Sequence, residues 1–286
     1  MWWLLGLLLV LLPGMGLAQG FVERGLLFRI ESPGGKTNYL FGTIHSDDKR
    51  VLDLPGPVRL AFGSSRRLAI EVLPDVSLLL ESMRVMIYDD GRNLEQVAGR
   101  EIYLRSVEAM AGLGMPESAV RNLKPWTVAT LLSVPPSKSG EFLDFYLYRL
   151  ALERGMEVVG LETVQEQLAV FDGMREQDQL ALLVDTLNNL RQLPMLHMQL
   201  LENYLQRDIG MLMELSNQTL QMGDQELSGR IQERVVDGRN RKMAERLEPL
   251  MNRGGLFAAV GALHLPGESG LLQLMRNKGF SVKIVY

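Results

Sequence analysis

The sequence contains no cysteine among its 286 residues and only three histidines. The absence of cysteine excludes disulfide bonds, metal sites built on thiolates, cysteine nucleophiles and a lipid anchor on cysteine. A bound metal ion would therefore depend on histidine, aspartate or glutamate side chains, on carbonyl groups or on water. The three histidines, His45, His197 and His264, are where the search for a catalytic site begins.

The sequence also lacks a concentration of positive charge. Lys and Arg number 30 against 34 Asp and Glu, for a net charge of −4, and the basic clusters are short. Such a charge distribution indicates no basic surface for binding nucleic acid. No Gly-x-Ser-x-Gly motif and no Ser- or Pro-rich linker is present. We therefore expect one domain over residues 19–286, in an oligomeric state that the sequence leaves open.

The N-terminal segment is the most apolar part of the chain. Residues 2–12 read WWLLGLLLVLL, Pro13 and Gly14 interrupt the run, and small residues precede Gln19. This pattern predicts a signal peptide over residues 1–18 and export to the periplasm or the outside of the cell. The run is shorter than the roughly 20 residues of a membrane-spanning helix, so no stable span is expected after cleavage; an uncleaved anchor is the alternative.

The hydrophobic pattern beyond the signal predicts an α/β fold. It has a mixed central β-sheet, whose strands come from both ends of the chain, and a long helical insertion over about 163–253. Turn residues at 32–35 predict a hairpin between the first two strands. The predicted strands are 26–31, 38–44, 67–73, 156–161, 256–263 and 281–285. Further helices are predicted at 75–87, 100–112, 124–134, 141–154 and 267–278.

Two copies of a Gly-x-x-His motif stand at the ends of predicted strands. The first contains Gly42 and His45, and the second contains Gly261 and His264. Ligands of open α/β sheets bind at the carboxyl ends of the strands, so these motifs are candidates for one shared site. A glycine three residues before each histidine lets backbone or substrate approach closely, which makes Gly42 and Gly261 candidate substrate-binding positions.

Two glutamates occupy comparable places. Glu71 interrupts an otherwise apolar strand, and Glu162 directly follows another. Two imidazoles and two carboxylates suit a divalent ion such as zinc, manganese or cobalt, which lowers the pKa of a bound water and polarises a substrate carbonyl. One glutamate could then bind the metal while the other acts as general base, and the pattern does not assign these two roles.

Several segments in the same order make the chain resemble the TraB/PrgY/GumN family, which includes the Tiki metal-dependent peptidases. The resemblance rests on YLFGTIH (39–45), the strand with Glu71, LKPW (123–126), the segment from Asp144 through GLET (160–163), Arg239-Asn240 and VGALHLPGESGLL (260–272). It implies a fold like that of the erythromycin esterases and the haem-binding ChaN-like proteins. It also implies a peptide or small-molecule substrate.

The resemblance also implies roles for individual residues. His45, His264 and Glu71 would bind the metal, and Glu71, Glu162 and Arg239 would be catalytic. Asn240 would contact substrate. The residues around Arg239 also permit an ordinary surface salt bridge, because acidic side chains flank it in the sequence, whereas a guanidinium in a site could hold a substrate carboxylate or an oxyanion.

Two other functions fit the same residues. The chain could be a non-catalytic binding protein that sequesters a peptide, haem or another small ligand in the same crevice. Haem is the less favoured ligand, because no tyrosine or cysteine near His45 offers a second axial ligand. The chain could also be an interaction protein whose helical region contacts a partner, in which case His45 and His264 would be dispensable.

Overall fold

A computed structural model describes residues 24–74, 82–135, 137, 139–220 and 225–286 of the chain. The predicted signal peptide, 1–18, lies outside these residues and stays a prediction. Within the described ranges, none of the helices combines the length and the apolar character that crossing a membrane requires.

The described strands form one mixed sheet of six strands, in the order β4-β3-β5-β2-β1-β6. The strands are β1 Leu27–Glu31, β2 Thr37–Thr43, β3 Arg67–Val72, β4 Glu157–Glu162, β5 Leu256–Gly261 and β6 Ser281–Ile284. Strands β4, β3, β5 and β2 run parallel to one another, and β1 pairs antiparallel with β2 and β6. The predicted α/β class, the mixed sheet and the hairpin are therefore confirmed.

The apolar composition of β5 explains its position between β3 and β2 inside the parallel part of the sheet. All six of its residues are buried, and its sequence, LFAAVG, offers no polar side chain to water. A parallel strand covered on both faces reads as such a continuous apolar run. Strand β3, its neighbour, is buried at every position except Glu71, which is half-buried. Glu71 is thus the single carboxylate of β3, flanked by the apolar residues Ile70 and Val72.

Most of the described helices lie between β3 and β5 in the sequence, and the full set also includes two before β3 and one after β5. They are Lys49–Leu52, Gly56–Ser64, Leu94–Ala111, Glu117–Val120, Pro125–Ser133, Leu143–Glu153, Val164–Asp172, Glu176–Asn189, Leu193–Leu205, Ile209–Leu220, Gln225–Gln232, Gly238–Arg253 and Leu271–Asn277. A π-helical turn, Glu233–Asp237, directly precedes the Gly238–Arg253 helix. The predicted helix over 75–87 lies partly outside the described residues, although 82–85 are helical.

Two predicted boundaries differ from the structure for a local reason. Strand β5 ends at Gly261, and Ala262–His264 forms a short 3₁₀ turn where the sequence predicted continued strand. The last helix begins at Leu271, because Gly267 has a φ of +90°, a conformation that no α-helix accommodates. Within Leu94–Ala111, Gly99 has a φ of +77° and separates a first turn, begun by a capping box of Asn93 and Gln96, from the helix predicted over 100–112.

The described residues divide into two compact units. One, which we call the sheet unit, contains the six strands and comprises the described residues of 24–73, 136–163 and 197–286. The other is helical and comprises the described residues of 74–135 and 164–196. The predicted helical region over 163–253 is thus shared between them, and the single-domain interpretation stays a prediction.

Candidate functional site

The carboxyl ends of the four parallel strands bring the predicted residues together in the sheet unit. Strand β4 ends at Glu162 and β3 carries Glu71 next to its last residue. His264 follows β5 by three residues and His45 follows β2 by two. Because β2 and β5 are neighbours, with Thr43 opposite Gly261, the two Gly-x-x-His motifs leave the sheet side by side. The order along the edge is carboxylate, carboxylate, imidazole, imidazole.

Gly42 permits the close approach of these two motifs. A Cβ atom at position 42 would lie 2.8 Å from Leu265 Cδ1 and 3.0 Å from Ala262 Cα, both beyond the end of β5. The Leu265 methyl group ends a flexible side chain and can move aside, but the contact with Ala262 is tight enough that the turn carrying His264 would have to shift by a few tenths of an ångström. Gly261 contributes differently, since its N–H donates a 2.7 Å hydrogen bond to Glu71 Oε1. Substrate binding by Gly42 and Gly261 stays a prediction.

Arg239 lies at the centre of this cluster, and its five N–H groups all find acceptors. Nε donates to Glu162 at 2.9 and 3.0 Å, and Nη2 donates to Glu162 and to Glu71 Oε2 at 2.6 Å. Nη1 donates to the Val235 carbonyl and lies 3.2 Å from His264 Nε2. The side chain is 3% exposed. Arg239 therefore forms buried ion pairs within the site and is not part of a surface salt bridge.

The ion pairs set the charge state of Glu71. Burial by itself would raise the pKa of this carboxyl, but the Arg239 guanidinium, His264 and the Gly261 N–H outweigh it and lower the pKa to about 2. Glu71 is thus ionised at neutral pH and a poor proton acceptor. The single guanidinium of Arg239 contacts two carboxyl groups, those of Glu71 and Glu162, and can balance the charge of only one, an arrangement that favours an additional cation nearby.

His264 is held at both of its ring nitrogens by adjacent residues of one helix. Asn240 Nδ2 donates to the Ser269 carbonyl at 2.8 Å, which leaves Asn240 Oδ1 as the acceptor 2.7 Å from His264 Nδ1. The hydrogen-bond network thus assigns the ring proton to Nδ1 and a lone pair to Nε2, which faces Arg239. Burial, followed by the neighbouring Arg239, lowers the pKa of His264 to about 3. The ring is therefore neutral at physiological pH.

His45 is more open to solvent, with 20% of its side chain exposed. Its Nδ1 lies 3.3 Å from Asp144 Oδ2, and its ring meets the edge of Phe142 at a centroid distance of 5.9 Å. The two histidines thus share an arrangement, with a side-chain oxygen at Nδ1 in each case. They differ in environment, since His264 is buried and His45 is not.

Comparison with known proteins identifies the family of the chain. Residues 26–284 match the TraB/PrgY/gumN family. The chain belongs to this family. It is 25% identical to the human Metalloprotease TIKI1 and 23% identical to Metalloprotease TIKI2 of Danio rerio, each over 86% of this chain. The chain spans about three fifths of the length of these curated relatives, at 59% and 58%. No solved structure matches it.

The metal that the relatives' names imply can be tested against these side chains. His264 Nε2 carries a lone pair 3.8 Å from Glu71 Oε1, a separation that two ligands of one zinc ion, each bonded at about 2.0–2.2 Å, can span. The donor types and this pair therefore fit a divalent cation. Among the described residues, however, no three His, Asp or Glu side chains lie close enough to enclose an ion. Arg239 Nη1 also faces the His264 lone pair that a metal would use.

Two residues of the site were not singled out in the sequence as functional candidates. Asp144, which contacts His45, appeared there only as the start of a family segment. Tyr204 is buried, and its hydroxyl donates a 2.8 Å hydrogen bond to the Gly42 carbonyl. Burial raises the pKa of Tyr204 well above its ordinary value, so it stays a neutral donor. The sequence signal for Asp144 was a carboxylate in the first turn of a helix whose buried residues are all apolar.

Proposed function

We propose that this TraB/PrgY/gumN family member is a metal-dependent hydrolase, and more narrowly a peptidase, whose site is the cluster at the carboxyl edge of the sheet. His45, His264 and Glu71 would hold the divalent ion, with zinc, manganese and cobalt as candidates. When bound, such an ion supplies a water of lowered pKa and polarises the carbonyl to be attacked. The names of the relatives support the metalloprotease assignment, and the fold alone would not.

The observation that carries this proposal is the state of His264. A buried imidazole that is neutral, with its proton fixed on Nδ1 by Asn240, presents Nε2 as a lone pair. This is the arrangement in which histidine binds a metal, the outer oxygen fixing both tautomer and ring orientation. A ring with a pKa of about 3 is far from the operating range of a general acid or base. His264 is thus suited to ligation and not to proton transfer.

The same reasoning separates the two glutamates. Glu71, with its pKa near 2, is suited to a permanent negative charge and so to a ligand's role. Glu162 is then the candidate for the general base that takes a proton from the attacking water. Its carboxylate is held by Arg239. Proton transfer therefore requires that one of these hydrogen bonds yield, and the freed N–H could stabilise the oxyanion formed on the substrate.

Hydrolysis of a peptide library by the purified chain tests this proposal. We expect cleavage that disappears with a chelator and returns with zinc, manganese or cobalt. Replacing Glu162 with glutamine, or His264 with alanine, should lower the rate by at least about 100-fold. His197→Ala is the matched control and should retain the rate. Ligand binding without turnover in all variants would replace this proposal with the non-catalytic binding protein, and retained biological activity in the His264 variant would favour the interaction protein.

We also propose export to the periplasm or the outside of the cell, which rests on the apolar segment 2–12 and the small residues before Gln19. The likeness to erythromycin esterase and ChaN-like folds is likewise a proposal, since no solved structure matches the chain. N-terminal sequencing of the protein recovered from the extracytoplasmic fraction tests the first of these. A chain that starts at Gln19 is expected, and recovery of the intact N-terminus from the cytoplasm would contradict it.

A further inference from the structure

Asp144 is a half-buried carboxylate that the proposed chemistry does not use. It is the second residue of the Leu143–Glu153 helix, which packs against the sheet beside β3 and β4. Its Oδ1 accepts a 2.8 Å hydrogen bond from the Thr43 hydroxyl at the end of β2. Thr43 is fully buried and precedes His45 by two residues. The carboxylate is thereby fixed against the strand that delivers His45 to the site.

The second oxygen of Asp144 lacks such a partner. Oδ2 is buried and accepts no hydrogen bond from the residues that the structure describes. It lies 3.3 Å from His45 Nδ1, without the alignment of a formed hydrogen bond. A buried carboxylate oxygen left without a donor is costly, so the imidazole N–H is the group that would satisfy it after a small rotation of the ring.

The neighbouring histidine, His264, shows the same arrangement with the hydrogen bond formed. His264 Nδ1 is held by Asn240 Oδ1 at 2.7 Å, and its Nε2 faces the ionic cluster. In both cases a helix outside the sheet supplies a side-chain oxygen to Nδ1. An oxygen in that position keeps the ring proton on Nδ1 and leaves the other nitrogen as a lone pair.

We propose that Asp144 is a positioning residue for His45, which holds the ring proton on Nδ1 and so presents Nε2 towards the site. Thr43 fixes the carboxylate, the carboxylate fixes the imidazole, and His45 acts through its free nitrogen. This inference deepens the proposed function, because it assigns His45 the same ligand state as His264. The tautomer itself can be measured without substrate and without metal.

Nitrogen-15 NMR of the imidazole rings tests the proposal directly. The chain has three histidines, so three single variants, His45→Ala, His197→Ala and His264→Ala, assign every ring signal. The metal-free protein is examined above the ordinary imidazole pKa of about 6.5, where the rings are neutral. We expect a proton on Nδ1 of His45 in the unmodified protein. Its one-bond signal should be lost in Asp144→Ala and retained in Asp144→Asn, whose amide oxygen can still accept.

Two controls separate positioning from a general loss of structure. Glu153→Gln alters an exposed carboxylate of the same helix and should leave the His45 signals unchanged. The Nδ1 proton of His264 should persist in every Asp144 variant, since Asn240 holds it independently. An unprotonated Nδ1 of His45 in the unmodified protein would overturn the proposal even if Asp144→Ala fails to fold. An Nδ1 signal unaffected by Asp144→Ala would overturn it as well.

The experiment also distinguishes this inference from the proposed function. If the chain cleaves no peptide but His45 carries its proton as expected, the positioning role stands and the hydrolase proposal fails. If metal-dependent cleavage is found but the tautomer does not depend on Asp144, the hydrolase proposal stands and the positioning role fails.

Discussion

Replacing Arg239 with methionine is expected to destabilise the sheet unit by about 3–5 kcal/mol at pH 7, the usual cost of removing one partner from a buried ion pair. Methionine keeps most of the apolar length of the side chain and removes the charge. Glu71 and Glu162, which the guanidinium now pairs with, would remain buried beside each other without it. The loss arises from these uncompensated carboxylates more than from the missing hydrogen bonds.

The pKa of Glu71 gives a second measure of the same effect. Its fall from 4.5 to about 2 in the folded protein corresponds to about 3 kcal/mol, because a tenfold change in a protonation equilibrium is worth about 1.4 kcal/mol. A carboxyl with a lowered folded-state pKa contributes stability above its unfolded value of 4.5. That contribution is lost as the pH falls from 4.5 towards 2. At pH 7 it is fully present.

Denaturation by urea, followed by circular dichroism at pH 7 and pH 5, measures the predicted loss. In Arg239→Met the Glu71 carboxylate loses its counter-charge, and burial, which acts to raise its pKa, is no longer opposed by the guanidinium. Protonation of Glu71 at lower pH should then stabilise the variant, so its loss of stability relative to the unmodified protein should shrink from pH 7 to pH 5. Arg149→Met is the matched control. Arg149 pairs only with exposed carboxylates of Glu141 and Glu153 among the described residues, and its loss should cost less than about 1 kcal/mol.

Two results would refute this reasoning. A deficit as small as that of Arg149→Met would mean that the Arg239 ion pairs behave as solvent-exposed ones. A large deficit that is equal at pH 7 and pH 5 would mean that the lost energy is packing, since loss of packing does not depend on the protonation of carboxylates.

The close packing around Gly42 leads to two further predictions, both measured by thermal unfolding. Gly42→Ala places a methyl group 3.0 Å from the Ala262 backbone and should lower the stability by about 1–3 kcal/mol. Gly56→Ala is the control, since open space surrounds this position, and should change the stability by less than about 0.5 kcal/mol. Equal stabilities of the two variants would contradict the tight fit at Gly42. Tyr204→Phe removes the hydrogen bond to the Gly42 carbonyl and should cost about 1 kcal/mol, and an unchanged melting temperature would show that water replaces the hydroxyl.

The edge of the sheet where the site lies followed from the sequence alone. Apolar strands that run into Gly-x-x-His, and a glutamate inside a third apolar strand, predicted that His45, His264 and Glu71 meet at the carboxyl ends of parallel strands. The alternation and turn signals that define strands are local, so this much is readable without a structure. The sequence of neither strand predicts that β2 pairs with β5 and that Thr43 lies opposite Gly261, because strand pairing depends on the whole sheet.

The roles of the helical residues could not be read in the same way. Charged neighbours in the sequence made Arg239 resemble a surface residue, and only the family resemblance placed it in the site. Its burial depends on Glu162, 77 positions earlier in the chain. Asp144 likewise depends on Thr43, 101 positions away. Contacts between residues so far apart in the sequence arise when helices pack on the sheet, and local sequence patterns do not predict them.

The metal content of the purified protein tests the central claim most directly. The chain from Gln19 onward is loaded with zinc, manganese or cobalt, freed of excess ion and examined by elemental analysis, beside the His45→Ala/His264→Ala double variant and the His197→Ala control. The proposed site predicts one tightly bound ion in the unmodified chain and in the control, and none in the double variant. Absence of metal from the unmodified chain under all three conditions, or equal metal in the double variant, would contradict it.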